Sequence, residues 1–279
     1  MAKTPEKLEQ LIIQLTEISN SLSAEETSQL LAPRAKKVRT TITEAYNKLR
    51  KVIEGLDPIK HPGFVFDPSS PDVAGRIIGI TLIAQPHRPL ANIERFYGSG
   101  VYALYYHGEF SPYARITGRD HPIYVGKADP ADPGSKTALE QGDRLAKRLG
   151  EHRKNILKAN STLREQDFTY RALVVKTGYQ SSAEECLIRL FKPLWNNEMN
   201  ICYGFGKHGD DPKKRRNRRS PWDTLHPGRD WAHRDAKMKD ARAPERIIEA
   251  IDAHLLTNPP LATVDEILRK FLDEMRAIS

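Results

Sequence analysis

Three short β-rich runs, combined with helical stretches in a set order, constrain this chain more than anything else in it. Gly100-Val101-Tyr102-Ala103-Leu104-Tyr105-Tyr106 and Pro122-Ile123-Tyr124-Val125-Gly126 are dense in aromatic and β-branched residues, and Phe168-Thr169-Tyr170-Arg171-Ala172-Leu173-Val174-Val175 is a third such run. Residues 140–159 read as helix, and a further helix, capped by Ser181 or Ser182, runs through Glu184 to about Phe191. Strand, strand, helix, strand, helix implies an α+β layer. The expectation is a small three-stranded sheet, mixed or antiparallel, flanked by helices.

Helical additions flank this core. Thr4-Pro5 looks like a cap and first helical position, and Leu8, Leu11, Ile12, Leu15, Ile18 and Leu22 form one apolar stripe. Ser23-Ala24-Glu25-Glu26 has the form of a capping box for a second helix, which Pro33 limits. Val38, Ile42, Ala45, Leu49, Val52 and Ile53 mark a third, closed by Gly55 and Pro58. Residues 1–57 are therefore expected to be a helical N-terminal extension that packs on the core, pairs across a dimer or touches DNA. Residues 58–97 begin with Pro58, Pro62, Gly63 and Pro68 and read as a linker or wrap, with an apolar segment at 71–85 whose periodicity suits helix and strand equally. The core is placed at 98–233. A helical tail covers 234–279, its last helix starting at the capping box Thr263-Val264-Asp265-Glu266.

Charge narrows the choice of partner. The net charge is +8, and Lys213, Lys214, Arg215, Arg216, Arg218 and Arg219 fill six of seven consecutive positions. Like charges at that density repel one another and seek a polyanion or water. With a pI of about 9.4, nucleic acid is the better partner. The two cysteines, Cys186 and Cys202, form no C-x-x-C pair, and no histidine stands at zinc-ligand spacing from them. They read as buried thiols in a reducing compartment. The first residues lack the apolar core of a signal peptide, and the longest apolar stretch, Ile77 to Ala84, is too short to span a bilayer. A cytoplasmic protein with no membrane partner is expected.

Several side chains have the chemistry of phosphodiester hydrolysis, which needs an activated water, a neutralised phosphate and a protonated leaving oxygen. Glu184 opens the pattern E-x-x-L-I-x-x-x-x-P-x-x-N, which ends at Pro193 and Asn196. A single carboxylate with substrate oxygens and waters can hold magnesium. Glu185 is its adjacent competitor. Arg148 and His152 lie four apart on one helix face, a phosphate donor beside a proton carrier. Tyr102 and Tyr124 stand on neighbouring strands. A phenol with a pKa of ~10 needs nearby cations before it acts as a base. Lys127, directly after Tyr124-Val125-Gly126, can provide that charge or hold phosphate, as can Arg144. Asn196 can tie a loop through its amide. Each of these also has a plainer reading, as strand packing, a solvated basic helix or a helix-start carboxylate.

Taken together, these pieces resemble the GIY-YIG nuclease superfamily, with Gly-Val-Tyr and Tyr-Val-Gly in place of the isoleucine forms. Carried over by position, the shared site is Tyr102, Tyr124, Arg148, Glu184 and Asn196, with His152 matching a histidine found in many members. The resemblance implies a phenolate-like Tyr102, or His152, activating water. It implies that Arg148 and Tyr124 hold the scissile phosphate, and that Glu184 binds one Mg2+ per site, replaceable by Mn2+. The gap between the tyrosines is 21 residues, longer than in homing or repair members. That gap, Lys192-Pro193-Leu194-Trp195-Asn196, Trp222-Asp223 and His226-Pro227-Gly228-Arg229 resemble the type II restriction branch, over roughly residues 98–233. Relatives there are homodimers cutting the palindrome CCGCGG in double-stranded DNA, in restriction–modification systems that include a cognate DNA methyltransferase, not held as a bound partner. Guanine-reading candidates are Arg115 and Arg119 in the inserted loop and Lys213, Lys214, Arg215, Arg216, Arg218 and Arg219, with phosphate contact the plainer role.

The leading expectation is a type II restriction endonuclease. A structure-specific or mobile-element nuclease, an inactive DNA-binding module and an RNA-binding scaffold are the rivals.

Overall fold

The structure is a computed structural model that describes residues 6–21, 31–59, 65–206, 218–233 and 238–276. The chain divides after Gly63 into two units. The first contains α1 (Glu6–Ser21) and α2 (Ala32–Leu56), neither of which buries a residue. Pro33 lies in the first turn of α2, so it opens a helix instead of limiting one; a proline there lacks only an N–H that would have no helical partner. Nor does Gly55 close α2, which runs through it to Leu56. The expected caps at Thr4-Pro5 and Ser23–Glu26 lie outside the described residues.

The second unit starts with α3 (Pro71–Ile83), where the ambiguous apolar segment resolves as helix. Ser70 caps it by accepting the Val73 N–H, and Val73, Gly79, Leu82 and Ile83 face inward. Next come β1 (Arg88–Pro89), β2 (Gly100–Tyr106), β3 (Tyr124–Ala128), α4 (Ala138–Gln141), α5 (Arg144–Lys158), β4 (Phe168–Val174) and α6 (Gln180–Phe191). After them stand α7 (Pro221–Leu225), α8 (Asp230–His233), α9 (Pro244–Thr257) and α10 (Val264–Arg276).

The sheet has the order β1-β4-β2-β3 and every pairing is antiparallel. The α+β class holds, with four strands where three were expected. The additional one, β1, places Arg88 opposite Tyr170 and Pro89 opposite Thr169 at the sheet edge. Two residues, one a proline, carry no alternating pattern, and an edge is where a strand tolerates proline. So the stretch read as linker or wrap supplies both a packed helix and an edge strand.

Strand β2 is buried along its whole length, because both faces of the sheet are covered. Tyr102, Leu104 and Tyr106 point to one side, among Leu149, Trp195 and Trp222. Val101, Ala103 and Tyr105 point to the other, among Leu82, Leu187 and Phe271. This is the period-two alternation of a strand read in two cores at once. The tail closes both. Helix α9 inserts Ile247, Ile251 and Leu255 into the first, and α10 inserts Ile267 and Phe271 into the second. At the start of α10 the Thr263 hydroxyl accepts the Glu266 N–H, while the Glu266 carboxylate accepts the Ala262 N–H at 2.6 Å, one residue further back than a standard capping box.

Two local expectations change. Helix α6 starts at Gln180 with Tyr179 at its cap and no side-chain cap, so Ser181 and Ser182 lie inside it and Glu184 stands beyond its first turn. The long β2–β3 connection is not a free loop. Tyr113, in its 3-10 turn Ser111–Tyr113, accepts the Trp195 indole N–H at 2.9 Å and shares a 2.6 Å hydrogen bond with His226 Nε2. Both cysteines are buried free thiols, and no helix among the described residues is long and apolar enough to cross a membrane.

Candidate active site

One open cleft of about 570 Å³ lies over β3 and the starts of α5 and α6. Its wall contains Tyr124, Lys127, Arg144, Arg148, Glu184 and Asn196, together with Asp129, Lys147, Glu151 and Glu198. Residues far apart in sequence meet here because antiparallel β2 and β3 put Tyr102 opposite Gly126, and Tyr124 one pleat along on the same face. Gly126 is needed for this. A Cβ at that position would run into the Tyr102 hydroxyl, so the glycine after Tyr124-Val125 makes room for the neighbouring phenol.

The two tyrosines do not stand equally near the cleft. Tyr102 is fully buried and does not line it, whereas Tyr124 does. Behind them, the Tyr102 hydroxyl lies 2.6 Å from Nε2 of His152, which α5 carries on its buried face. Burial pushes the Tyr102 pKa well above its usual value, and the neighbouring Tyr124 raises it further, against the lowering effect of Arg148. Burial likewise raises Tyr124, opposed by Arg148, with the Tyr102 hydroxyl also in hydrogen-bonding relation to it. Both are neutral phenols in the free protein. The phenolate-like Tyr102 of the sequence reading is thus not the resting state, since removing a phenolate from water outweighs one partly buried guanidinium.

Arg148 is largely buried and donates to the Glu151 carboxylate at 2.8 Å. Burial works against its charge, but a guanidinium keeps its proton at neutral pH and the Glu151 carboxylate favours the charged form. Glu184, and not Glu185, reaches the cleft. Burial raises its pKa to about 7, with Glu198 and Asp129 pushing the same way and Lys127 opposing. A carboxylate pressed by burial and by two other carboxylates gains most from a cation, so these groups fit a divalent ion held mainly by Glu184, with waters and substrate oxygens completing its shell.

Asn196 grips β3 from the side. Its amide oxygen accepts the Val125 N–H at 3.0 Å and its NH2 donates to the Val125 carbonyl at 2.9 Å, so it holds the strand that carries Tyr124 and Lys127. The Lys127 ammonium donates to the Ser181 hydroxyl at 2.8 Å and lies 3.3 Å from Asp129. Arg144 donates to the Asp129 carbonyl at 3.1 Å. The loop candidates lie elsewhere: Arg115 pairs with Asp252 at 2.9 Å, and Arg119 donates to the Pro260 carbonyl at 3.5 Å. Arg219 pairs with Asp240 at 2.8 Å and Arg218 is exposed, whereas Lys213, Lys214, Arg215 and Arg216 lie outside the described residues. Sequence reasoning did not single out Asp129, Glu198 or Phe205. No motif marks them, and only the folding of two loops brings them here.

Residues 94–255 match the family described as the Eco29kI GIY-YIG domain. The chain belongs to this family. Its match covers more than half of the chain and ends within α9, beyond the limit of 233 read from the motifs. Within α9, Ile247, Ile251 and Leu255 fill part of the first core. No curated protein matches the chain. Membership in the Eco29kI GIY-YIG family makes the protein a nuclease of the GIY-YIG restriction endonuclease type, acting on DNA.

Proposed function

We propose that the chain is a type II restriction endonuclease that hydrolyses both strands of a short GC-rich palindrome, acting as a homodimer with magnesium. The observation that supports this best is the single cleft uniting a buried arginine, a phenol and a carboxylate raised to about 7. Glu184 would hold a Mg2+ ion, which would supply Lewis acidity toward the scissile phosphate. Arg148, charged and positioned, binds a phosphate oxygen and the charge that grows on it. Lys127 and Arg144 hold flanking phosphate. As the attacking water forms the new P–O bond it passes a proton to the Tyr124 oxygen, that hydroxyl gives its own to Tyr102, and Tyr102 gives its own to His152 Nε2. The P–O bond to the leaving oxygen breaks, and that oxygen takes its proton from solvent in the open cleft. In this relay the cleft-facing phenol touches the reacting water and the buried histidine stores the proton.

A twofold dimer would present one cleft to each strand of a palindrome. Arg218 and the adjoining basic run are suited to the DNA backbone, where positive charge positions without reading sequence. The test is incubation of the full chain with plasmid and phage DNA plus magnesium, with EDTA and Glu184→Ala as controls. Discrete, reproducible fragments lost in both controls are the expected result. Nicking confined to branched substrates would instead favour a structure-specific nuclease, and a gel shift without cleavage a binding module.

A further inference from the structure

The His152 ring meets Tyr102 through Nε2 in a 2.6 Å hydrogen bond, and one of its faces is packed against Phe205. The two rings are stacked with centroids 4.5 Å apart and planes 17° from parallel. Phe205 belongs to no helix or strand, so something else must hold its backbone. That something is Arg229, which is almost completely buried and donates from Nη2 to the Gly204 carbonyl at 2.7 Å and from Nη1 to the Phe205 carbonyl at 3.2 Å. Its Nε and Nη2 are occupied by the buried Asp223 carboxylate at 2.6 and 2.8 Å, and Ser220 donates to that carboxylate at 2.6 Å. Trp222 covers the guanidinium at 4.5 Å and also packs on Phe205.

We infer that Phe205, held by the Arg229–Asp223 clamp, is a positioning residue that sets the orientation of His152 toward the tyrosine pair; the inference rests on His152 serving the nuclease reaction proposed above. A buried ion pair is a weak source of stability compared with an apolar pair of the same size, whereas its directional hydrogen bonds define geometry closely. The clamp's two backbone acceptors are the carbonyls on either side of the Phe205 ring attachment. One residue further, the chain reaches the cleft: a Cβ at Gly206 would lie 2.8 Å from the Tyr124 oxygen and 3.5 Å from Arg148 Nη2. A shift at residues 204–205 therefore moves the ring against His152 and the backbone against Tyr124 together.

The experiment compares Phe205→Leu, Arg229→Lys and their double variant with Leu255→Ala, a core truncation in α9, which carries no residue of the stack or the clamp. Two readouts are taken: cleavage kinetics, and the NMR shifts of the His152 ring protons, which the stacked phenyl ring moves upfield. Phe205→Leu should lower kcat about 10–100-fold with KM within about twofold, the size expected when a reacting group is misplaced by ~1 Å. Arg229→Lys should shift the His152 resonances part of the way toward those of Phe205→Leu, and the double variant should lose no more activity than the worse single one. Leu255→Ala should change neither readout. Unchanged His152 resonances in Phe205→Leu would overturn the stack, and losses that multiply in the double variant would overturn the clamp's action through it. The resonance shifts with no nuclease activity in the unsubstituted chain would leave the stack intact and sink the nuclease reading instead. If Arg229→Lys does not fold, Phe205→Leu against Leu255→Ala still decides the positioning role.

Discussion

Tyr102 and His152 share a 2.6 Å hydrogen bond that is closed off from solvent on both sides, 50 residues apart in the chain. With the phenol neutral at rest, the proposed relay uses the pair as a joined donor and acceptor, not as two competing bases. Tyr102→Phe and His152→Gln should each lower kcat by about 10²-fold, the usual size of one acid–base contribution. The double variant should be no slower than the worse single one. Multiplying losses in single-turnover kinetics would show that the two side chains act separately.

Tyr124 is the phenol that reaches the cleft. Its replacement by Phe removes the hydroxyl and keeps the packing against Phe205. Cleavage should fall by at least as much as in Tyr102→Phe, with DNA binding within about threefold of the unsubstituted chain. Turnover at the original rate in a fluorescence cleavage assay would remove Tyr124 from the relay.

Arg148 holds its charge at a largely buried position on the cleft wall, where it can give phosphate charge-assisted hydrogen bonds. Arg148→Ala should cost about 3–4 kcal/mol of transition-state stabilisation, equivalent to 10²–10³ in kcat. Lysine should restore little, since it cannot give two parallel donors. A loss below tenfold, measured at saturating DNA, would end the phosphate-clamp role.

Asn196 makes both of its hydrogen bonds to the backbone of Val125. Asn196→Asp keeps the acceptor but sets a carboxylate oxygen against the Val125 carbonyl. It should destabilise the fold by about 2 kcal/mol and lower activity in step. Urea unfolding monitored by tryptophan fluorescence checks the first, and an unchanged midpoint would contradict it.

Two buried histidines give the protein an acid limit. Burial lowers the pKa of His226 to about 3, helped by Arg229, and burial likewise lowers His121 to about 3. In the unfolded chain both return to ~6.5, so between pH 6.5 and 3 the unfolded state binds more protons than the folded one. Their contribution is complete above about pH 6.5 and is lost as pH falls toward 3. Each should add a slope of ~1.4 kcal/mol per pH unit inside that window. His226→Gln should flatten the curve of unfolding free energy against pH between 4 and 6; a curve as steep as before would refute the assignment.

The strands that carry the site were legible because β2, β3 and β4 are rich in aromatic and β-branched residues. Glu184 was legible over Glu185 through its spacing to Leu187, Ile188, Pro193 and Asn196. Strand β1 was hidden because two residues have no period. The start of α6 was misplaced because serines that look like caps lie inside it, one of them receiving Lys127.

Residue type and spacing alone thus determined the α+β class, the order of the three longer strands along the chain and the family resemblance, and they nominated six residues for the site. Those properties depend on local propensity and on side-chain chemistry, which every residue carries with it. The tertiary structure decided which tyrosine faces the cleft, what Asn196 holds, and that the inserted loop and α9 belong to the core. It also joined Trp195, Phe205, Trp222, His226 and Arg229 behind His152. These depend on contacts between segments tens of residues apart, and on how deeply each group is withdrawn from water. Neither quantity exists until the chain has closed on itself.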